Sequence, residues 1–298
     1  MTPPATAEVI ELSGGARLGY ARYGDPRGRP LLFFHGWPGS RLQGAIAHEA
    51  AHKLGWCLVA PDRPGIGLTT CPEPHTLTSW PSRVVQLMER LGWDDCHLLA
   101  ISGGAPSTLA CATAFPQHFR GVGIVCGAVS LSEAPSREGL FPLFRLLLSL
   151  DRNLPVLSPW VLRAMSVYLR LLPPSQALAP QQFLMRGADR QVFAQTRHRR
   201  RLADALREAY RQGPEGVLCD GRTIAKPWNF NWRQAPQKVP TRFWHGDADG
   251  TIPLSLARWA VEEMDCSEQL RIWPDEGHFS LPINHSERIL YELGQLNP

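Results

Sequence analysis

The sequence predicts an α/β fold in which a mostly parallel sheet carries helices on both faces and an inserted helical cap. The first observation is that short apolar runs rich in β-forming residues alternate with longer segments of helical period. These runs cover residues 31–34, 57–60, 97–101, 122–125, 243–244 and 270–273. The second observation is that this alternation stops between Val125 and Phe243, a gap longer than a simple connection needs. We therefore expect a separate helical insertion in that gap.

The predicted division of the chain follows from this gap. Residues 1–129 and 236–298 are expected to form the core, and residues 130–235 the cap. In the cap, the predicted helices at 140–150 and 160–172 carry large apolar residues around most of their circumference. They could line an apolar pocket or simply pack on the main domain, and both interpretations stay open. The segment at 191–212 is predicted as one amphipathic, strongly basic helix.

A hairpin is expected near the start of the chain. Residues 17–23 have the composition of a strand, and the following residues 24–28 form a turn signal that leads into the next predicted strand. This pattern predicts an antiparallel edge on the sheet.

Composition limits the possible classes of function. The 298 residues are 44% hydrophobic and 19% charged with a net charge of +4, and no basic stripe is interleaved with aromatic residues. This argues for a small-molecule substrate and against nucleic acid as partner. The seven cysteines are scattered singly, as expected for reduced thiols without a metal site. No secretory signal or membrane span is predicted, so a cytoplasmic location is expected, whereas the oligomeric state stays open.

The most informative segment is an apolar run that ends at Ser102. Ala100 and Gly104 flank this serine two residues away on either side. Such small neighbours are needed where a strand turns sharply into a helix and exposes a serine hydroxyl at the apex. The pattern predicts that Ser102 is a nucleophile.

A serine nucleophile needs a histidine base and an acid that orients it. Two loops that each follow a predicted strand carry candidates: the first contains Asp247 and Asp249, and the second contains His278. Ser102, Asp249 and His278 occur in the chain order expected for this architecture. Spacing alone does not decide between the two aspartates.

Other polar residues are weaker candidates. His35 and His245 are expected to be structural hydrogen-bonding groups rather than bases. Asp275 and Glu276 are expected to point to solvent, and Glu133 is a remote alternative for the acid.

Two backbone amides are predicted to stabilise negative charge on a substrate carbonyl oxygen. One is the N–H of Gly103, directly after Ser102 at the start of a helix. The other is the N–H of Trp37, in the loop that follows the strand ending at Phe34.

With these motifs in order, the chain resembles the α/β-hydrolase fold superfamily, and most closely its capped single-domain bacterial serine hydrolases. The resemblance implies that Asp249 is the acid, because it ends a G-x-x-D motif. Ala100 stands where the family more often has glycine, and a serine nucleophile argues against epoxide hydrolases and haloalkane dehalogenases, which attack with a carboxylate. The motifs are HG-x-P at 35–38, the turn at 62–67, Ser102, G-x-x-D at 246–249 and Gly277-His278.

The sequence therefore predicts a serine hydrolase that cleaves a carboxylic ester or related acyl compound, of modest size and hydrophobic character, without a cofactor. One alternative is an aminopeptidase-like or amide-cleaving enzyme, although the basic cap does not favour binding of a free amino terminus. A non-catalytic ligand receptor and a lyase or cofactor-free oxygen-using enzyme on the same fold are further alternatives.

Overall fold

The computed structural model describes residues 7–71 and 75–297, and its centre is one eight-stranded sheet. The strands lie in the order β1-β2-β4-β3-β5-β6-β7-β8. β2 pairs antiparallel with β1 and with β4, and every other pairing is parallel. The strands are β1 Ala7–Glu11, β2 Arg17–Gly24, β3 Arg29–Phe34, β4 Trp56–Pro61, β5 Cys96–Ile101, β6 Phe119–Val125, β7 Thr241–Gly246 and β8 Leu270–Trp273.

Helices cover both faces of this sheet. Alternate residues of β3 point to opposite faces: Leu32 and Phe34 join one apolar cluster, and Leu31 and Phe33 join another. The first cluster contains residues of α2, α3 and α11, and the second contains residues of α1 and α13, whose bounds are α1 His48–Lys53, α2 Trp80–Leu91, α3 Ala105–Ala114, α11 Leu254–Glu263 and α13 Ser286–Leu293. The predicted α/β class and its parallel strands are confirmed.

The prediction that β2 and β3 form a hairpin is wrong. The turn after β2 hydrogen-bonds instead to the chain that enters β4: Asp25 N donates to Trp56 O at 2.8 Å, and Arg29 N donates to Gly55 O at 2.7 Å. β4 therefore lies between β2 and β3. The antiparallel edge does exist, but β1 and β2 form it.

The elements of regular structure that the structure shows between β6 and β7 are all helices. We call residues 130–235 the helical segment; their division from the core at these two boundaries stays a prediction. Most members of a third apolar cluster lie in this segment, including Leu162, Leu169, Phe193 and Tyr210, and Ile66 of the core joins them. Its helices are α4 Pro142–Asn153, α5 Ser158–Leu171, α6 Pro174–Ala177, α7 Gly187–Ala194, α8 Thr196–Ala209 and α9 Pro214–Ala225, and α10 Ala235–Lys238 follows at its end.

The single helix expected at 191–212 is also a wrong prediction. Gln195 adopts an extended backbone, with φ −84° and ψ 117°, and so separates α7 from α8. The break lets α7 approach α12, Ser280–Asn284, while α8 packs against α6. Helical periodicity in the sequence does not reveal a single extended residue between two helices.

The parallel strands end at one edge of the sheet, and this edge positions the candidate site. Phe34, Ile101, Val125, Gly246 and Trp273 are the last residues of β3, β5, β6, β7 and β8. Ligands of open α/β sheets bind outside these carboxyl ends. Within the described parts of the chain, we find no helix with the length and hydropathy needed to cross a bilayer.

Candidate active site

Ser102 stands at the turn between β5 and α3 and has a strained backbone. Its φ is +50°, in the left-handed region that residues other than glycine rarely adopt. A Cβ added to Gly104 would clash with the carbonyl oxygen of Phe34 and lie 2.9 Å from that of His35. The absence of a side chain at Gly104 therefore lets α3 start this close to the end of β3.

Asp249 and His278 are joined by a hydrogen bond. Nδ1 of His278 and Oδ2 of Asp249 are 2.8 Å apart, and both side chains are buried. The other oxygen of Asp249 accepts from the backbone amides of Thr251 and Ile252, each at 2.8 Å. These donors fix the carboxylate so that one oxygen faces the imidazole.

The two groups shift each other's pKa. Burial alone would lower the pKa of His278, but the charge of Asp249, its hydrogen bond and the charge of Asp189 raise that pKa above its usual value. Burial alone would raise the pKa of Asp249, but the charge and hydrogen bond of His278 and the charge of His245 hold it below its usual value. The carboxylate is thus ionised at neutral pH.

The alternative acids lie elsewhere. Asp247 is exposed and accepts a hydrogen bond from Asp275 N at 2.8 Å. Glu133 binds Arg233 at 2.8 Å and Ser130 at 2.8 Å. Of the candidates, Asp249 is the one that the structure brings to the imidazole of His278.

The two other candidate histidines make backbone hydrogen bonds. His35 Nδ1 lies 2.9 Å from Gly36 O, and its Nε2 accepts from the Arg63 amide at 3.2 Å. His245 Nε2 lies 2.9 Å from Ile252 O and 3.4 Å from Asp249 Oδ2. Burial lowers the pKa of both imidazoles and favours their neutral form.

The amides of Trp37 and Gly103 are neighbours beside Ser102. A Cβ on Gly103 would lie 2.8 Å from the backbone nitrogen of Trp37, which leaves room for glycine alone. The indole of Trp37 turns away from this point, since its Nε1 donates to Val217 O in α9 at 2.8 Å. The loop that carries Trp37 is further held by Gly36 N, which donates to Gln43 Oε1 at 2.7 Å.

A buried ion pair supports the same loop. Arg63 donates to both carboxylate oxygens of Asp220, each at 2.8 Å, and to the carbonyl oxygens of His35 and Gly36. Both side chains are almost completely buried. Asp220 belongs to α9, so the helical segment contributes to the position of the Trp37 loop.

Asp189 of α7 holds the loop of His278. Its Oδ2 accepts from the amide of His278 at 3.0 Å, and its Oδ1 accepts from Phe279 at 2.9 Å and Ser280 at 2.8 Å. The side chain is buried. Sequence reasoning missed Asp189 and Asp220, because an acid in a helix with charged neighbours is indistinguishable from a solvated one until its tertiary partners are known.

One group of potential metal ligands lies among the described residues. The ligand atoms of Cys126, Asp249 and His278 are all within 4.8 Å of one another. However, both carboxylate oxygens of Asp249 already accept hydrogen bonds, and burial raises the pKa of the Cys126 thiol well above its usual value. A neutral thiol is a weak ligand, so this group does not favour a metal centre.

Two apolar cavities meet at Ser102. The Leu147 cavity extends under α4, α5 and α9, and is bordered by Gly103, Leu140, Leu147, Leu162 and Ile224. The Phe279 cavity extends toward α7, α8 and α12, and is bordered by Met165, Phe193, Leu206, His278 and Phe279. Both share Trp37, Ser102 and Phe144, and the rings of Trp37 and Phe144 lie 5.8 Å apart between their centroids. These two rings therefore border both cavities beside Ser102.

Comparison with known proteins assigns the family. The model of the alpha/beta hydrolase fold family matches residues 29–284, and the chain therefore belongs to this family. The uncharacterized hydrolase YcgS of Bacillus subtilis (strain 168) is 26% identical over 276 residues, which cover 86% of each chain.

Solved structures show the same fold. A thermophilic esterase from Thermogutta terrifontis superposes with a TM-score of 0.67 at 18% identity, covering 99% of this chain and 100% of the esterase. The epoxide hydrolase VrEH1 from Vigna radiata gives the same score, identity and coverage. Identity at this level supports the fold alone, so the reaction has to be argued from the site.

Proposed function

We propose that the protein is a serine hydrolase that cleaves a carboxylic ester with apolar groups through an acyl-enzyme. In this proposal Ser102 is the nucleophile, His278 the base and Asp249 the acid, while the amides of Trp37 and Gly103 form the oxyanion hole. The observation that carries the proposal is the 2.8 Å hydrogen bond from His278 to Asp249, with His278 and Ser102 bordering one cavity.

The acylation step uses the proposed groups as follows. Neutral His278 removes the proton of Ser102 through Nε2 while the serine oxygen bonds to the ester carbonyl carbon. The carbonyl oxygen gains negative charge and accepts from the amides of Trp37 and Gly103. His278 then gives the proton to the ester oxygen, the bond from this oxygen to the carbonyl carbon breaks, and an alcohol leaves.

Deacylation repeats this sequence with water. His278 removes a proton from the water as its oxygen attacks the acyl carbon, and then returns a proton to Ser102 as the acid leaves. Asp249 holds the imidazole in one tautomer and stabilises its protonated form, which agrees with the raised pKa of His278.

The serine at the turn between β5 and α3 distinguishes this reaction from epoxide hydrolysis. Attack on an epoxide by the known family mechanism uses a carboxylate, and Ser102 offers a hydroxyl at that position. Serine favours acyl transfer because its alkoxide attacks a carbonyl and leaves again as the ester is hydrolysed.

Labelling with a fluorophosphonate probe tests the nucleophile. We expect the wild-type protein to be labelled and to hydrolyse nitrophenyl esters, and Ser102→Ala to lose both properties. Ser82→Ala, which removes an exposed hydroxyl on α2, is the control and should behave as wild type. Labelling that persists in folded Ser102→Ala would exclude the acyl-enzyme at this residue.

The two cavities support an assignment of the two halves of the substrate. The leaving oxygen must receive a proton from His278, and His278 borders the Phe279 cavity but not the Leu147 cavity. Gly103, a proposed oxyanion donor, borders the Leu147 cavity. We therefore assign the alcohol group to the Phe279 cavity and the acyl group to the Leu147 cavity.

Filling one cavity at a time tests this assignment. Leu147→Phe should reduce kcat/KM for long acyl chains with a short alcohol, and Met165→Phe should reduce it for long alcohols with a short acyl group. Each excluded methylene forfeits about 0.8 kcal/mol of transfer free energy, or roughly fourfold in kcat/KM. The opposite pattern would reverse the assignment without affecting the proposed nucleophile.

A further inference from the structure

Exposed apolar side chains are concentrated on the helical segment. Of the thirteen large apolar residues exposed in the described parts of the chain, ten lie between residues 146 and 184. Six of them form what we call the apolar stripe: Leu154, Val156, Leu157, Trp160, Val167 and Leu171. Exposed clusters of this kind mark contact surfaces for proteins or membranes.

Helix α5 shows that the apolar stripe is directed outward. Leu162 and Leu169 are buried on its inner face, while Trp160 is 63% and Leu171 76% exposed on its outer face. Residues 160, 167 and 171 are separated by seven and four positions, so they lie along one side of the helix. Helix α5 thus carries large apolar residues on two opposite sides, and apolar helix surfaces are expected to be covered. In the described parts of the chain, the outer side of α5 lacks such a cover.

Arginines adjoin the stripe. Arg137, Arg145 and Arg152 border one surface depression beside α4, and so does Asn153, which directly precedes the first residue of the stripe. Arg163 lies over the ring of Trp160, with its Cζ 5.7 Å from the ring centroid. Guanidinium groups around a depression suit a phosphate group, whose oxygens accept several N–H donors.

Neighbouring acids are already engaged. Asp151 accepts from Arg222 at 2.7 Å and from Ser158 at 2.8 Å. Glu215 lies 3.4 Å from Arg163, and the charges of these two side chains offset each other. None of the residues that border the depression with Arg137, Arg145 and Arg152 is acidic, so this part of the surface beside the apolar stripe is basic.

The positive charge beside the stripe helps to decide what covers it, a second copy of the chain or a lipid bilayer. In a two-fold dimer the same patch would face itself, so a basic patch would be brought against a second basic patch. An anionic bilayer complements both features, because the apolar side chains enter the acyl region while the arginines reach the phosphates.

We propose that the apolar stripe and its arginines bind the surface of an anionic phospholipid bilayer. The inner side of the same helix borders both cavities, with Ser158 and Leu162 at the Leu147 cavity and Met165 at the Phe279 cavity. Docking at α5 places the site next to apolar esters dissolved in the bilayer. The bilayer contact itself does not depend on the proposed hydrolase reaction.

Vesicle flotation tests the contact. Ser102→Ala, which cannot consume lipid by the proposed reaction, should float with phosphatidylcholine vesicles that contain phosphatidylglycerol and should remain below without that anionic lipid. Added salt should weaken the binding, because it screens the arginines. Failure of the hydrolase proposal leaves this result unchanged, so the two proposals are tested separately.

Two sets of variants locate the contact. Trp160→Ser with Leu171→Ser should reduce vesicle binding at least tenfold. Arg145→Gln with Arg152→Gln should reduce it about 25-fold, since each arginine near an anionic surface contributes about fivefold. Tyr291→Ser, which changes an exposed aromatic residue on α13, is the control and should bind as wild type.

Three outcomes would overturn the proposal. The first is no flotation with either type of vesicle, and the second is equal flotation with both. The third is a dimer that light scattering detects at high salt and that Trp160→Ser with Leu171→Ser dissociates, because the stripe would then be covered by a second copy.

Discussion

The carboxylate of Asp189 accepts a hydrogen bond of 3.0 Å from the backbone amide of His278. The same carboxylate accepts from Phe279 and Ser280, so it holds three consecutive amides that precede and begin α12. Asp189 belongs to α7 and His278 follows β8, 89 positions later. The helical segment thus fixes the backbone of the proposed base, in addition to covering it.

Replacement of Asp189 by asparagine tests this support. The amide group presents one acceptor and one donor to three N–H groups, so the loop should loosen and kcat/KM should fall about 10- to 100-fold. The charge of Asp189 raises the pKa of His278, and His278 must be neutral to act as a base. Without this charge the pKa of His278 falls, and the acid limb of the kcat/KM profile should move to lower pH.

The pH profile distinguishes a specific effect of Asp189 on His278 from a general loss of activity in the variant. Asp204→Asn removes a half-buried acid from the neighbouring helix α8 and should leave the acid limb where it is. If Asp189→Asn lowers activity without moving the acid limb, the charge of Asp189 does not affect the pKa of His278.

The acid of the proposed triad can be identified by a pair of variants. Asp249→Asn keeps the shape of the side chain but removes the acceptor charge and permits the wrong tautomer of His278, and kcat should fall by about 10³- to 10⁴-fold. Asp247→Asn changes an exposed residue that binds the Asp275 amide and should stay within a few-fold of wild type. Equal losses in both variants would contradict the assignment of Asp249.

Local sequence patterns predicted most of the sheet and the residues that the structure gathers at its edge. β5 and β7 are short runs with largely buried side chains, whereas the side chains of β8 are exposed or half-buried. Ser102, Asp249 and His278 each follow one of these parallel strands, so topology alone brings them together. Contacts between residues far apart in the sequence cannot be predicted from local patterns. The pairing of β2 with β4 depends on contacts of the turn with residues 55–56.

The role of Asp189 was also not predictable from local sequence patterns. Its side chain satisfies amides that are 89 to 91 positions away, and neither periodicity nor composition predicts that contact. The break between α7 and α8 was not predicted either. Only one extended residue, Gln195, separates the two helices, and it leaves the helical periodicity of the sequence almost unchanged.

Close packing at the turn between β5 and α3 predicts how substitutions of two small residues change stability. Gly104→Ala should destabilise the protein by about 1–3 kcal/mol, because the new methyl group meets the carbonyl oxygens of Phe34 and His35, which are backbone atoms that cannot rotate away. Ala100→Gly introduces the residue that the family more often has there, and should cost about 1 kcal/mol or less through lost packing and added chain freedom. Chemical denaturation measures both, and a harmless Gly104→Ala would show that the turn can open.

Loss of one partner of the buried ion pair between Arg63 and Asp220 should destabilise the protein far more than loss of one partner of an exposed pair. Asp220→Asn leaves the guanidinium of Arg63 buried with only carbonyl acceptors, and breaking a buried pair on one side costs about 3–5 kcal/mol. Glu287→Gln, which breaks the exposed pair with Lys53, is the control and should not change the urea midpoint measurably.

Because Arg63 also holds the carbonyls of His35 and Gly36, we expect Asp220→Asn to lower kcat under conditions where the variant is still folded. A variant with full stability and full kcat would show that solvent replaces the carboxylate and that α9 is not needed to position the Trp37 loop.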